Sequence, residues 1–426
     1  MHLIIFLFIS CQVFSQVNWI NFNTENSNIP YDKVNSIEFG SSENSNGIIF
    51  VGTAFGLGVL DIDNANFPNN IWYSFYEQEN PNEGLMGNDI INIQKNTNED
   101  IWICTTNGIS VLEYDYSMGG INNEIWSYLN TENSDITSNM VRTILFDNEN
   151  TWLGTTSGLC KIENENWELY DFETQNIFSN NIKKIIQNPE TNNIYIGTVN
   201  GGYQIYNNTT FEAFNSSNSG LLDNTINDFV FDDANNLIIT SPSAGLEILT
   251  SLGNWLVFNS ETNPELPFYI NSLNKIIIDN NNNLWISTFE NGLIRYSNNT
   301  WTFYNEENSG LPDNKINCLK YDEVLNYLWI GTDTMGIVLL DLNNLNNEEN
   351  LDQNTFNPYF EEHHLTLNCS KNGLITIYDT SGKMINKFVL NQSTQKILLD
   401  KLEIGFYIIN YQTNEKNISK MISKTI

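Results

Sequence analysis

Seven polar residues recur at one place in this chain. Asp32, Asn88, Asn139, Asn180, Asn224, Asn271 and Asn314 each stand two residues ahead of a short apolar run. Side chains of these types, grouped this way, can do two kinds of chemistry. Each oxygen can cap a turn by accepting a backbone N–H. Together, amide oxygens and nitrogens can line a polar funnel suited to a neutral sugar, a peptide or a hydrated cation. The two roles are compatible. Phe55 and Phe289 lie in Thr-x-x-Gly loops on the same expected face, where the loops at 81–84 and 263–268 are the bulkiest. Ligand choice belongs on such loops.

Other chemistries have less material. Beyond His2, the only histidines are the neighbours His363 and His364. Residues 16–342 therefore cannot hold a Ser-His-Asp or Cys-His site, or a His-ligated zinc site. Adjacent residues on a strand point to opposite faces, so His363 and His364 are read as solvated side chains. The 51 Asp and Glu make many close pairs, such as Asp232/Asp233 and Glu361/Glu362, and nothing singles one out. A carboxylate-dependent polysaccharide hydrolase or lyase is thus the alternative reading, resting on abundance. Asp147 and Asp279 begin Asn-rich stretches that could be taken for calcium loops. They lack the glycine and distal glutamate of an EF-hand and are read as hairpin turns. No cofactor and no metal are expected.

The elements that must position the seven residues are repeats. Leu328-Trp329-Ile330-Gly331-Thr332 recurs with variation so that its fourth position falls at 52, 104, 154, 197, 240, 287 and 331. The steps are 52, 50, 43, 43, 47 and 44 residues, the spacing of a repeat fold. An apolar run precedes each motif, at 34–39, 90–95, 141–146, 182–187, 226–231, 273–278 and 316–321. A Gly-led segment follows it, and then an aromatic pair such as Trp126/Tyr128 or Trp301/Tyr304. Four short β segments per period make one propeller blade. The seventh repeat lacks its aromatic pair, while Trp19-Ile20-Asn21-Phe22 precedes the first repeat and belongs to none. This predicts an all-β, seven-bladed propeller over 16–342, closed by an N-terminal strand. Trp102, Trp152, Trp285 and Trp329 share one strand position and are read as filling the layers between blades, not as a sugar platform.

Residues 1–15 read as a signal peptide, with the apolar run 3–9 and small side chains toward Ser15. No other stretch is long and apolar enough to cross a bilayer. Of the remaining cysteines, Cys104, Cys160, Cys318 and Cys369, none is closely spaced, and buried thiols are expected. The formal net charge is −33, with only Arg142 and Arg295 as arginines. Nucleic acid and anionic membranes are therefore excluded as partners. Charge changes sharply along the chain. Residues 354–426 carry 8 Lys against 6 Asp and Glu, leaving −35 for what precedes them. This marks 343–353 as a linker and 354–426 as a second domain, whose alternating strands predict a small β-sandwich.

The motifs Leu-Trp-Ile-Gly-Thr-x-x-x-Gly-Ile (328–337) and Asn-Ser-Gly-Leu-Pro-Asp-Asn-Lys-Ile (308–316) resemble the propeller repeats of bacterial two-component regulators. The resemblance extends with decay over all seven repeats. It implies the fold and not the ligand, since no kinase, membrane span or response-regulator segment accompanies it. The tail resembles the type A C-terminal sorting domain of the type IX secretion system. Asn357 and Pro358 stand where that family has Pro-Asn-Pro, with Phe356 replacing the first proline. Tyr378, Asp379, Gly382 and Lys383 match its Tyr-Asp-x-x-Gly-Lys turn. Gly405 and Tyr407 match its Gly-x-Tyr, and Lys420 its basic-apolar end. The resemblance implies the type IX machinery as a partner and export to the cell surface or medium. The expected function is a secreted, non-enzymatic propeller that binds a glycan, peptide or protein on its inter-blade loop face. A purely structural surface protein is the further alternative.

Overall fold

The computed structural model describes residues 19–424 except 41–46, 63–70, 118–119, 148–149, 174–176, 178, 265, 344, 346–355, 362–363, 370–372, 380–382, 391–393, 399–404 and 413–416. The expected signal peptide and most of the expected linker lie outside the described residues.

Seven antiparallel four-stranded sheets account for residues 19–341. Their innermost strands are Val34–Phe39, Ile90–Lys95, Val141–Phe146, Ile182–Gln187, Asp228–Phe231, Leu273–Ile278 and Ile316–Asp322. Each touches the next, and the seventh touches the first, so the blades form a ring. Strand Trp19–Phe22 completes the seventh blade, pairing with Ile337–Asp341 through Trp19–Leu340, Ile20–Leu339, Asn21–Val338 and Phe22–Ile337. The split repeat expected from the sequence is therefore the closure of the ring. In blade five the inner strand begins at Asp228, two residues later than expected. The outer hairpin of blade two, Gly108–Ser117 and Gly120–Leu129, is longer than the four to six residues expected.

The core lies between blades. Seven buried clusters fill the seven interfaces, each drawing on two neighbouring blades. Trp152, Trp285 and Trp329 are 0 % exposed, as an inter-blade filling role requires. The repeated motif now has a physical reason. At its fourth position, a Cβ on Gly331 would lie 2.6 Å from Val34 of the next blade and 2.4 Å from the Cys318 sulfur. At its fifth position a buried Thr or Ser hydroxyl, as in Thr332, donates to the carbonyl of the glycine that opens the next strand.

Beyond the propeller lie two antiparallel sheets. One holds Phe356–Glu361, His364–Cys369 and Thr394–Leu398; the other holds Gly373–Asp379, Met384–Leu390, Gly405–Gln412 and Asn417–Lys424. Residues from both sheets, including Leu365, Leu367, Ile375, Ile377, Ile409 and Tyr411, form a single buried cluster.

Candidate binding site

The seven polar residues are brought together at the starts of the innermost strands. Each side chain is half-buried and engaged in the same way. Its Oδ1 accepts the backbone N–H of a residue just past the outer strand of the preceding blade. The donors to Asp32, Asn88, Asn139, Asn180, Asn224, Asn271 and Asn314 are Thr24, Glu77, Thr131, Phe172, Ser216, Ser260 and Glu306, at 2.6–3.0 Å. Five of the seven also accept, through their own carbonyls, the N–H of the glycine opening the third strand of that preceding blade. They are Asp32, Asn88, Asn224, Asn271 and Asn314. The repeat thus forms an inter-blade clasp. Of the two roles read for these oxygens, capping of a backbone N–H is seen at all seven, and Asp can replace Asn because only an acceptor is required.

Phe55 has different surroundings. It is 53 % exposed on the loop between the second and third strands of blade one. Its ring stands 6.5 Å from that of Tyr31 and 6.1 Å from that of Tyr76, both also well exposed. Tyr31 comes from the crossing between blades seven and one, and Tyr76 from the end of the outer strand of blade one. All three share the face that carries the clasp. Phe289 is exposed on the equivalent loop of blade six and makes no ring contact with this group among the described residues. Phe172, Leu222, Phe268 and Met335 are exposed at strand ends or crossings on the same face.

Below the clasp the ring encloses a channel cavity of about 500 Å³. Sequence reading missed its chemistry. Six of the seven inner strands carry a register shift directly after their first residue. Such a bulge re-aims the extra side chain. The residue there is Asn35, Ile91, Arg142, Lys183, Asn274 or Asn317, with Asn227 at the same place ahead of blade five's strand. Asparagine amides stitch the ring: Asn35 donates to the Ile90 carbonyl, Asn92 to Arg142, Asn227 to Leu273 and Asn274 to Ile316. Cations interrupt this pattern. Lys184 pairs with Asp228 at 2.9 Å and Lys320 with Glu38 at 2.7 Å. The Lys183 Nζ donates to Asn227 Oδ1 at 2.5 Å. Lys275 and Arg142 also line the channel. Burial first, then Lys275 and Arg142, bring the Lys183 ammonium down to about 8. Burial likewise lowers Lys275 and Arg142, and it raises the Cys318 thiol to about 12. Aligning the inner strands at their first apolar position would have exposed Arg142 and Lys183 one residue after it and Lys184 and Lys275 two residues after it.

The carboxylates considered at the sequence level have local duties. Asp279 Oδ1 accepts the Asn281 and Asn283 N–H groups, and its Oδ2 accepts the Trp285 indole at 2.9 Å. Asp147 does the same for Asn150 and Trp152. Asp232 caps a turn through Ala234 and Asn236, and Asp233 accepts the Asn282 amide. Glu362 and His363 lie outside the described residues. No group of three or more His, Cys, Asp or Glu fit to hold a metal occurs among the described residues. Cys104, Cys160 and Cys318 are buried thiols without a disulfide.

In the tail, Asn357 and Pro358 pair with Asn368 and Leu367, Tyr378 with Ile408, and Asp379 with Tyr407. Gly405 pairs with Lys424 and Lys420 with Ile409. Tyr407 is buried, Lys383 is exposed, and Gly382 lies outside the described residues. The ordered landmarks of the sequence thus fall on two sheets sharing one core. Residues 357–425 match the secretion system C-terminal sorting domain family. No curated protein matches the chain. Among solved structures, the extracellular domain of the hybrid two component system BT3049 from B. thetaiotaomicron superposes with a TM-score of 0.60 at 17% identity, over 95% of this chain and 57% of that one. PorZ, a surface component of the type-IX secretion system of Porphyromonas gingivalis, gives 0.55 at 15% identity, over 92% and 60%. The extracellular domain of BT4673 from B. thetaiotaomicron gives 0.56 at 14% identity, over 96% and 59%. This chain thus spans under two thirds of the length of each of these structures, and at such identities the likeness is one of fold. The sorting domain indicates export to the cell surface or extracellular space and engagement of the secretion machinery. No described helix is long and apolar enough to cross a membrane.

Proposed function

We propose that this protein is a non-enzymatic binding module, exported through the type IX machinery by a C-terminal β-sandwich, whose propeller takes a neutral glycan or peptide on its loop face. The carrying observation is the contiguous set Tyr31, Phe55 and Tyr76. Three exposed rings, with the Phe55 centroid 6.5 Å from that of Tyr31 and 6.1 Å from that of Tyr76, offer the apolar faces on which sugar rings or peptide side chains stack, with two phenol hydroxyls at hand. Exposed aromatic groups of this kind mark contact sites more often than chance exposure. A non-enzymatic role is supported by the channel carboxylates, since Glu38 and Asp228 are each held by a lysine. The exported chain and its Phe55→Ala and Tyr76→Ala variants would be screened by thermal shift against neutral oligosaccharides and peptides. The expected result is a shift in the parent that both variants lose while their ligand-free melting points stay within about 1 °C, as exposed positions allow. A panel that shifts none of the three proteins, or shifts all equally, rejects this reading.

A further inference from the structure

The propeller, residues 16–342, carries 42 Asp and Glu against only ten Lys and Arg, a net of −32. Six of those ten, Lys95, Arg142, Lys183, Lys184, Lys275 and Lys320, sit on the innermost strands, which hold three acids, Glu38, Asp228 and Asp322. Charge is therefore sorted radially, acid outside and base around the channel. Glu38 pairs with Lys320 and Asp228 with Lys184. Asp228 has further donors, in the N–H groups of Phe229 and Ile276. Arg142, Lys183 and Lys275, from blades three, four and six, form no ion pair among the described residues. Burial and the charges of Lys275 and Arg142 disfavour the Lys183 ammonium, while Asp228 favours it.

Half-buried like charges cost stability, and the nearby carboxylate of Asp228 offsets Lys183 and Lys275 only in part because it is already paired with Lys184. The fold supplies a cavity of about 500 Å³ lined by Arg142 and Lys275, together with Lys95 and the Lys184–Asp228 and Lys320–Glu38 pairs. We infer that the channel is an anion site, and that its ligand is a small molecule bearing carboxylates, either a free polycarboxylic acid or an acidic sugar. The guanidinium of Arg142 suits a carboxylate because it presents two parallel N–H donors. Lys275 adds a point charge from the opposing wall, Lys183 of the adjacent blade adds to the local positive field, and the Asn35 and Asn92 side chains line the same cavity. The site is separate from the aromatic platform on the outer face.

The test is isothermal calorimetry on the exported chain at pH 7 and constant ionic strength, with citrate, a galacturonic acid disaccharide and inorganic phosphate as probes. One-to-one binding of citrate or of the uronate is expected, and whichever binds identifies the source of the carboxylate. Arg142→Gln and Lys275→Met should each raise the dissociation constant at least tenfold. Lys275→Met should also leave the ligand-free melting point equal to or above the parent's, because it removes repulsion. If Lys275→Met does not fold, that itself counts for a structural lysine and against the inference. Binding of phosphate alone, binding unchanged in both variants, or no binding at millimolar probe would overturn it.

Discussion

Trp19 lies opposite Leu340 in the ladder that closes the propeller, and its indole covers Gly310. A Cβ at Gly310 would stand 2.5 Å from the Trp19 ring, and one at Gly220 would stand 2.3 Å from the ring of Trp255 in blade five. The Asn-Ser-Gly-Leu segment at 308–311 therefore has its glycine because an outer-strand tryptophan lies over it. At the seventh blade that tryptophan comes from the other end of the sequence.

Gly310→Ala should destabilise the propeller by roughly 1–3 kcal/mol, the usual cost of overpacking. Trp19→Ala should cost about 2 kcal/mol, less than a fully buried tryptophan. In the double variant the two losses should fall well short of their sum, because alanine at 310 then has room. Urea denaturation of the four proteins measures this directly. Full additivity would mean that Trp19 does not close the ring over Gly310.

Asn139→Ala should remove one clasp and cost about 1 kcal/mol, the net value of a hydrogen bond whose partner is left unmet. Asn139→Asp should keep most of that stability, because Asp32 performs the same task between blades seven and one. Melting curves at pH 7 separate the two. Equal losses would show that the Asn139 amide nitrogen, not its oxygen, does the work.

Lys183 makes ligand-free stability depend on alkaline pH. Its ammonium lies at about 8, against about 10.4 for an unfolded lysine. Between these values the unfolded chain binds the extra proton, so stability rises as pH rises from about 8 to 10.4. The penalty is complete below 8. Arg142 and Lys275 oppose the charge, while Asp228, already paired with Lys184, favours it only in part. After discounting for solvent screening, a gain on the order of 1 kcal/mol is expected. Denaturation at pH 7.5 and 9.5 should show it, and Lys183→Met should flatten the difference.

Glu247 acts in the opposite sense near neutrality. Its side chain is 0 % exposed, and one oxygen accepts the Leu222 N–H at 2.6 Å. Burial, with Asp223 adding repulsion, raises it to about 7, against about 4.3 when unfolded. The folded state therefore holds the extra proton, and the associated stability is present at acidic pH and lost as pH climbs through 7. Ser110 accepts the matching N–H of Met86 in blade two without any charge. Glu247→Gln should keep the acceptor and melt above the parent at pH 8, by an amount on the order of 1–2 kcal/mol, with little difference at pH 5.

Much of this protein was legible in order along the chain. The Gly-Thr motifs, the aromatic pairs and the stranded Trp19–Phe22 segment specify seven blades and their closure, because strand periodicity and turn residues are local signals. The landmarks from Asn357 to Lys420 identify the sorting domain for the same reason. The Asn and Asp residues ahead of each inner strand were also visible, and so was their capacity to cap a backbone N–H, but not which N–H each would meet. Whether an oxygen faces a ligand or the N–H of Thr131 depends on where the preceding blade ends, which only packing decides. The trio Tyr31, Phe55 and Tyr76 draws on three separated segments, so no window of sequence contains it. The channel cations were the least legible. Arg142 and Lys275 are far apart in sequence, and it is the bulges at the inner strands and the closing of the ring that bring them to one cavity.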